Sequence, residues 1–357
     1  MDNNTTQYQI VKGNGNDAEL EKYRLTFENN ESPRKIENLI WLHQKNIPGT
    51  NSIFYAMNGD DVAAIYTALP VKFHLNGQKS NALQSIDTIT DINHRGKGLF
   101  PKLAKQLYAD ATNEGFSLVY GFPNENSAPG FFNKLGWTSF GEAPFIIKPL
   151  SISYFFKKIL NRKAVPDSTE ENYRIDLPGR KQLSGGDYIE SFPSFTPDYD
   201  DLWNKISTNI KVCVDRGMSY MNWRYVEKPD SSYTRLGYYR NGILQGVIVF
   251  TIKNKHQGRV AYIMELIYDG ADGKIGKALL KYAHKICRTN RTDVILAWAF
   301  ENSFNFKAYK KTGYYHLPIK LRPQHLFLGV KSLAGNNQDL INNINNWYIS
   351  YSDSDTV

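Results

Sequence analysis

The sequence predicts an α/β protein (α+β layered) of two tandem domains, each a mixed, mostly antiparallel sheet flanked by helices. Three observations carry this. The chain has 357 residues, which fits two domains of about 100–200 residues each. Both halves run through the same order of hairpin, strand, glycine-containing loop, helix, strand and short helix. Landmarks in the two halves also keep step: Gly276 follows Phe100 by 176 positions, and Gly313 follows Gly136 by 177. Agreement within one position argues for duplication of one fold.

The first half builds up from local signals. The first 20 residues are polar, contain Gly13-Asn14-Gly15 and read as a flexible arm. Ser32 as N-cap with Pro33 at the first helical position opens a helix over Lys35 to His43, with Ile36, Leu39 and Ile40 at helical spacing. Ser52 to Met57 and Val62 to Leu69 form a hairpin around Asn58-Gly59-Asp60-Asp61. Asn76-Gly77 marks the next turn, and Ala82 to Ile92 reads as a strand. Phe100 to Asn113 is a helix with Leu103, Leu107 and Ala111 on one face. Leu118 to Phe122 is a short strand, and Pro129 to Leu135 a short helix ended by Gly136.

Polar Asn161 to Asn172, with Pro166, marks a linker. It divides a first domain, 1–150, from a second, 187–335; the linker is 151–186 and a C-terminal tail covers 336–357. The second domain carries a helix over Asp201 to Ile210 and a hairpin, Thr234 to Tyr239 with Leu244 to Ile252, across Asn241-Gly242. A strand, Val260 to Tyr268, leads through Asp269-Gly270-Ala271-Asp272-Gly273 into a helix, Lys274 to Cys287. A strand, Val294 to Ala299, and a helix, Asn305 to Lys311, complete it.

Composition bounds the function. Hydrophobic residues make up 41% and charged residues 22%, as in folded globular chains. Mean hydropathy is −0.48. The longest charge-free apolar stretch, Gly242 to Ile252, has 11 residues, against roughly 18 for a membrane-spanning helix. The N-terminus lacks a basic segment followed by an apolar one, so no secretory signal is read. Two cysteines, Cys213 and Cys287, make neither a disulfide framework nor a four-thiolate metal site. A cytoplasmic protein is expected. The net charge of +8 admits a phosphorylated ligand, nucleic acid or an anionic membrane surface. There is no zinc-finger spacing and no run of five Lys/Arg, so no nucleic-acid partner is expected. The largest basic excess, Lys148 to Lys163 with Lys157, Lys158 and Arg162, reads as a solvated helix face.

The strongest local signal is Asp87-Thr-Ile-Thr-Asp-Ile-Asn-His-Arg-Gly-Lys-Gly-Leu-Phe100. A strand that ends in a glycine loop and opens a helix presents unpaired N–H groups and a positive dipole end, which suits phosphate. Gly96 and Gly98 let the backbone approach an anion, and Arg95 and Lys97 add charge. The nucleoside-triphosphate loop and the dinucleotide fingerprint are both absent. No His-x-x-x-His, Cys-x-x-Cys or Gly-x-Ser-x-Gly occurs, so neither a metal site nor a serine hydrolase is expected.

Arg95-Gly-Lys-Gly98 resembles the acyl-CoA pyrophosphate loop, Gln/Arg-x-x-Gly-x-Gly/Ala, of the GNAT superfamily of N-acyltransferases; Phe100 departs from the last small residue. Asn124-Glu-Asn-Ser-Ala-Pro-Gly-Phe-Phe-Asn-Lys-Leu-Gly-Trp137 resembles the family's second landmark. The order of elements over residues 22–150 agrees with the family. The tandem layout is similar to the enhanced-intracellular-survival acetyltransferases and more loosely to FemABX-type aminoacyltransferases. The resemblance implies acetyl-CoA or another acyl-CoA as co-substrate and a small-molecule primary amine, such as an amino sugar, as acceptor, acylated by direct attack. It implies cofactor contacts from Thr88, Ile89, Thr90, Arg95, Gly96, Lys97, Gly98, Leu99, Phe100, Asn124, Asn126 and Phe132. The tyrosine that the family often uses to protonate the departing thiolate is Phe132 in the first half and Tyr309 in the second.

The second half, in which Ala271 and Lys274 depart from the loop pattern, is expected to shape the acceptor site. There Arg216, Trp223, Arg224 and Tyr225 are candidates to hold a sugar or acidic acceptor. An acceptor amine must lose a proton before attack. The candidate bases are Asp87, Glu125 and, at the comparable second-half strand position, Glu265. By similarity to the survival-type enzymes, Asp353, Asp355 or the Val357 carboxylate joins them. A FemABX-like aminoacyltransferase and a non-catalytic acyl-CoA-binding protein remain alternatives.

Overall fold

The structure is a computed structural model that describes residues 8–151, 171–173, 175, 177, 179–322, 324–335 and 337–354. The expected basic segment at Lys157, Lys158 and Arg162, and the candidate bases Asp355 and the Val357 carboxylate, lie outside these residues. The chain divides into two compact units. Unit 1 is Met1–Glu142 with Leu326–Ile344, and unit 2 is Ala143–His325 with Asn345–Val357.

In unit 1 the strands are β1 (Gln9–Lys12), β2 (Ser52–Asn58), β3 (Asp61–Leu75), β4 (Gln78–Thr90), β5 (Leu118–Gly121) and β6 (Thr138–Glu142). They are joined by β17 (Phe327–Ser332), numbered in chain order. The path across the sheet is β1-β2-β3-β4-β5-β17-β6. The expected β2–β3 hairpin forms, and the Asn76-Gly77 turn closes a second, β3–β4. Helices α1 (Asp17–Asn29) and α2 (Ile36–His43) cover one face, with Leu20, Tyr23, Phe27 and Leu39 packed on Ile53 and Ile65. Helix α3 (Leu99–Asn113) covers the other, with Leu99, Leu103 and Leu107 packed on Tyr66, Ala68 and Leu83. Each such leucine contributes about 1.5–3 kcal/mol on burial.

Two local expectations are corrected here. The described part of the N-terminal arm is ordered: β1 pairs β2, and α1 begins at Asn16, whose side chain accepts the Glu19 N–H. Glu19 in turn accepts the N–H groups of Asn14 and Gly15 at 2.7 and 2.9 Å, a reciprocal cap. Helix α2 starts later than Ser32-Pro33 implies, with Lys35 at its N-cap. The Ser32 hydroxyl instead accepts from the Arg34 guanidinium.

Unit 2 holds β7 (Phe145–Pro149), β8 (Glu171–Asn172), β9 (Lys181–Gln182), β10 (Tyr188–Ser191), β11 (Val212–Val214), β12 (Thr234–Arg240), β13 (Ile243–Lys255), β14 (Gly258–Tyr268), β15 (Val294–Trp298) and β16 (Tyr315–His316). Its sheet runs β16-β7-β15-β14-β13-β12-β10-β9, with β8 on β13. Its helices are α4 (Pro197–Ser207), α5 (Met218–Tyr225), α6 (Gly273–Thr289) and α7 (Phe306–Lys311). The apolar face of α6 closes the core over β13 and β14.

Each unit draws one strand from the other half of the sequence. In unit 1, β17 lies between β5 and β6, antiparallel to both. In unit 2, β7 lies between β15 and β16, again antiparallel to both. The sequence places Phe145–Pro149 in the first domain and Phe327–Ser332 in the second; each belongs to the other sheet. The divisions at 150 and 335 are therefore not where the compact units divide.

Candidate functional site

In unit 1, β4 is paired with β3 along its length but with β5 only over Ala82–Ser85. Beyond Ser85 the parallel partner ends, and Thr88, Ile89 and Thr90 keep pairing only to β3. Between Tyr66 and Ala68 the β3–β4 register shifts, so that β4 carries one extra residue there, a bulge that re-aims side chains. Ser85 ends a hydroxyl chain on the α3 face. Trp137 Nε1 donates to the Tyr108 hydroxyl at 3.0 Å, the Tyr108 and Tyr66 hydroxyls lie 2.9 Å apart, and Tyr66 donates to Ser85 Oγ at 3.2 Å.

The glycine loop continues from β4. Gly96 and Gly98 take left-handed φ values of 76° and 68°, and nothing lies within 4 Å of a Cβ built on either. Gly98 is the N-cap of α3, without a side-chain cap. Pro101 has no N–H, so Leu99 and Phe100 carry first-turn donors free of intrahelical partners. Arg95 and Lys97 lie beside them, both exposed. The loop is open at a helix N-terminus, a place whose free N–H groups suit an anion. Leu99 joins it through its backbone alone, because its side chain is in the core.

Phe100 is wedged between Tyr66 and Phe131, with ring centroids 5.6 and 5.0 Å away, and against Gly130. Phe132 packs against Gly329 of β17 and lies edge-on to Phe327. Asn124 Oδ1 accepts the N–H groups of Asn126 and Ser127 at 3.1 Å, capping the turn after β5. Glu125 is exposed on that turn.

Asp87 lies two positions past Ser85 and points to the α1–α2 face. It is 5% exposed. Tyr23 donates to its Oδ2 at 2.7 Å, and Arg34 Nη2 donates to its Oδ1 at 2.8 Å. Arg34 also stacks on Phe27, 4.5 Å from the ring centroid. Burial and the Asp87 charge lift the Tyr23 hydroxyl well above its ordinary range. Burial pushes the neighbouring His43 imidazole down to about 4, so it is neutral at pH 7. Tyr23, Arg34 and His43 are candidate site residues that the sequence did not reveal. Arg34 pairs with a residue 53 positions away, and no local pattern reports such a contact.

Unit 2 repeats the frame with different chemistry. Glu265 lies two positions past Ile263, the last β14 residue paired with β15, and beside a β13–β14 register shift. It is fully buried. Arg216 Nε donates to it at 2.6 Å, the Tyr348 hydroxyl at 2.9 Å and the Ser350 hydroxyl at 2.8 Å. Arg216 Nη2 also donates to Asp353 Oδ2 at 2.5 Å. Burial raises the Asp353 carboxyl to about 6 while Arg216 pulls it down.

In the unit 2 loop, carboxylates of the loop itself take up backbone N–H groups. Asp272 caps α6 by accepting the Lys274 N–H and binds Arg240 at 3.1 Å. Asp269 accepts the Ala271 N–H and pairs Lys205 at 3.0 Å; these contacts hold its carboxyl below the ordinary range.

Several expected roles in unit 2 are corrected by burial. Arg216, Trp223, Arg224 and Tyr225 are all buried, so they build the interior of the unit instead of an open acceptor surface. Arg224 donates to the Ser354 carbonyl. Tyr309 sits in the core, edge-on to Tyr314 at 5.0 Å, and burial raises its hydroxyl far above the ordinary range. It is a packing residue. Asp353 is held as the partner of Arg216, not as a free base. Among the described residues no cluster of His, Cys, Asp or Glu is arranged to hold a metal, and no helix is long and apolar enough to cross a membrane.

Residues 16–140 match a family model described as an acetyltransferase (GNAT) domain. Solved structures share the fold. The Saccharomyces cerevisiae N-myristoyltransferase, solved with bound myristoyl-CoA and inhibitors, matches with a TM-score of 0.60 and 12% identity over 91% of this chain and 79% of its own. A GCN5-related N-acetyltransferase from Anabaena variabilis matches with a TM-score of 0.62 and 11% identity over 92% of this chain and 73% of its own. An Enterococcus faecalis protein described as a probable N-acyltransferase gives 0.59 and 11%, over 92% and 73%. No curated protein matches the sequence. An acetyltransferase (GNAT) domain is thereby matched over residues 16–140, all of them in unit 1.

Proposed function

We propose that this chain is an N-acyltransferase that moves an acyl group, in the simplest case acetyl, from acyl-CoA to the primary amine of a small molecule such as an amino sugar. The observation that carries the reading is the contrast between the two loops. That of unit 1 is open, left-handed at Gly96 and Gly98 and flanked by Arg95 and Lys97. In that of unit 2, Asp269 and Asp272 take up backbone N–H groups. Backbone N–H groups over Gly96–Leu99, with Arg95, hold the pyrophosphate. The edge of β4 at Thr88–Thr90, unpaired on its β5 side, receives the pantetheine arm. Holding the thioester against the amine supplies much of the rate by positioning. Asp87, on the α1–α2 face, takes the proton of the acceptor amine, and Tyr23 and Arg34 orient its carboxylate. The tandem relation to the survival-type acetyltransferases belongs to the same reading.

Calorimetric titration with acetyl-CoA and with myristoyl-CoA tests the reading and ranks acyl length. Micromolar binding, about −8 kcal/mol, is expected for at least one donor; no binding at any chain length overturns it. Asp87→Asn is expected to lower kcat about 100-fold with acyl-CoA affinity unchanged and the melting curve checked in parallel. Unchanged turnover would remove Asp87 as the base.

A further inference from the structure

A basic face on unit 2 is left unused by acyl transfer. Helix α6 contains no acidic residue in its 17 positions. Its exposed side carries Lys274, Lys277, Lys281, Lys285 and Arg288. At about 100° per residue these five fall within an arc of about 80°, and they span about 21 Å of helix. The opposite side, with Leu279, Leu280, Ala283 and Ile286, is buried in the core. The packed neighbour α7 adds exposed Lys307, Lys310 and Lys311, again without an acid.

Among the described residues none of these eight cations has an ion-pair partner. The acids near the ends of the helices are engaged elsewhere: Asp272 with Arg240, Asp269 with Lys205 and Glu301 with His316. Soon after α7 come three exposed apolar side chains, Tyr315 at 52%, Ile319 at 52% and Leu321 at 56%, with Lys320 between the last two.

We infer that this face docks on an anionic lipid surface. Lysine ammonium groups along a straight stripe complement a plane of lipid phosphates, and each is a mobile point charge on a long stem. Ile319 and Leu321, exposed eight and ten positions beyond α7, are apolar side chains of the kind such a surface buries as interfacial anchors. A nucleic-acid backbone would use the charges but leaves the apolar side chains without a role. The inference is independent of the acyl-transfer reading.

The test is co-sedimentation of the full chain with vesicles of phosphatidylcholine alone and of phosphatidylcholine mixed with phosphatidylglycerol. Binding is expected to the mixed vesicles only and to weaken with added salt. Lys277→Glu/Lys281→Glu/Lys285→Glu is expected to lower partitioning at least about tenfold. The neutral triple Lys277→Gln/Lys281→Gln/Lys285→Gln is the second variant should the charge-reversed one fold poorly, and it should also weaken binding. Ile319→Ser/Leu321→Ser should weaken binding while leaving its salt dependence in place. Absence of vesicle binding, or equal binding by the folded triple variants, overturns the inference. Binding to duplex RNA without binding to the mixed vesicles also overturns it, in favour of a nucleic-acid surface.

Discussion

Gly98→Asp is expected to abolish acyl-CoA binding while leaving the fold intact. The two effects separate for a physical reason. Gly98 is the N-cap of α3, where no side chain caps the helix, and aspartate is among the preferred residues at that position. No atom lies within 4 Å of the added Cβ. The left-handed φ of 68° costs an aspartate about 1 kcal/mol, which the favourable interaction with the helix dipole offsets in part. The new carboxylate, however, stands where the pyrophosphate would accept its hydrogen bonds, and it repels that charge. Calorimetry should show affinity reduced at least about 100-fold, near 2.7 kcal/mol, with a circular-dichroism melt lowered by no more than a few degrees, on the order of 1–4 °C. Wild-type affinity in the variant would move the phosphate site away from this loop.

Arg216→Met is expected to produce the largest loss of stability. Arg216 is 0% exposed and serves Glu265 and Asp353 together. Removing the cation leaves two carboxyl groups buried without their shared counter-charge, and breaking a buried pair typically costs about 3–5 kcal/mol. For a unit of this size the loss corresponds to a melting shift of roughly 10 °C. Arg216→Lys should recover part of the loss, because one ammonium cannot reproduce the hydrogen bonds that the guanidinium makes to both carboxylates. A melt within about a degree of wild type for Arg216→Met would show that the network is energetically neutral.

How much of the site was legible in the sequence depends on the range of the interactions. The glycine loop was legible because its signal is local: Gly96 and Gly98 supply backbone freedom, and the helix follows at once. Asp87 was legible as a strand residue before that loop. Its partners Tyr23 and Arg34, and the nearby His43, were not, since they arrive from the α1–α2 segment, which only the folded sheet brings against β4. Tyr309 and Arg224 looked like site residues because side-chain chemistry is visible in sequence and burial is not. The same blindness hid the basic stripe of α6. Its lysines are spaced three and four apart, and contiguous charge alone points to Lys148 to Lys163 instead.

Local sequence was enough to set the two-part α/β architecture, the hairpin at Asn58-Gly59, the turn at Asn76-Gly77, and the open loop before α3, because turns, glycine conformations and helix faces depend on neighbours within a few residues. Long-range packing settled which sheet each late strand joins and which charges are buried together. Phe145–Pro149 and Phe327–Ser332 are short strands whose pattern suits either sheet, so the folded chain is needed to assign them. Arg216 meets Glu265 and Asp353 across 49 and 137 positions, and a charge becomes structural only when the fold removes it from water.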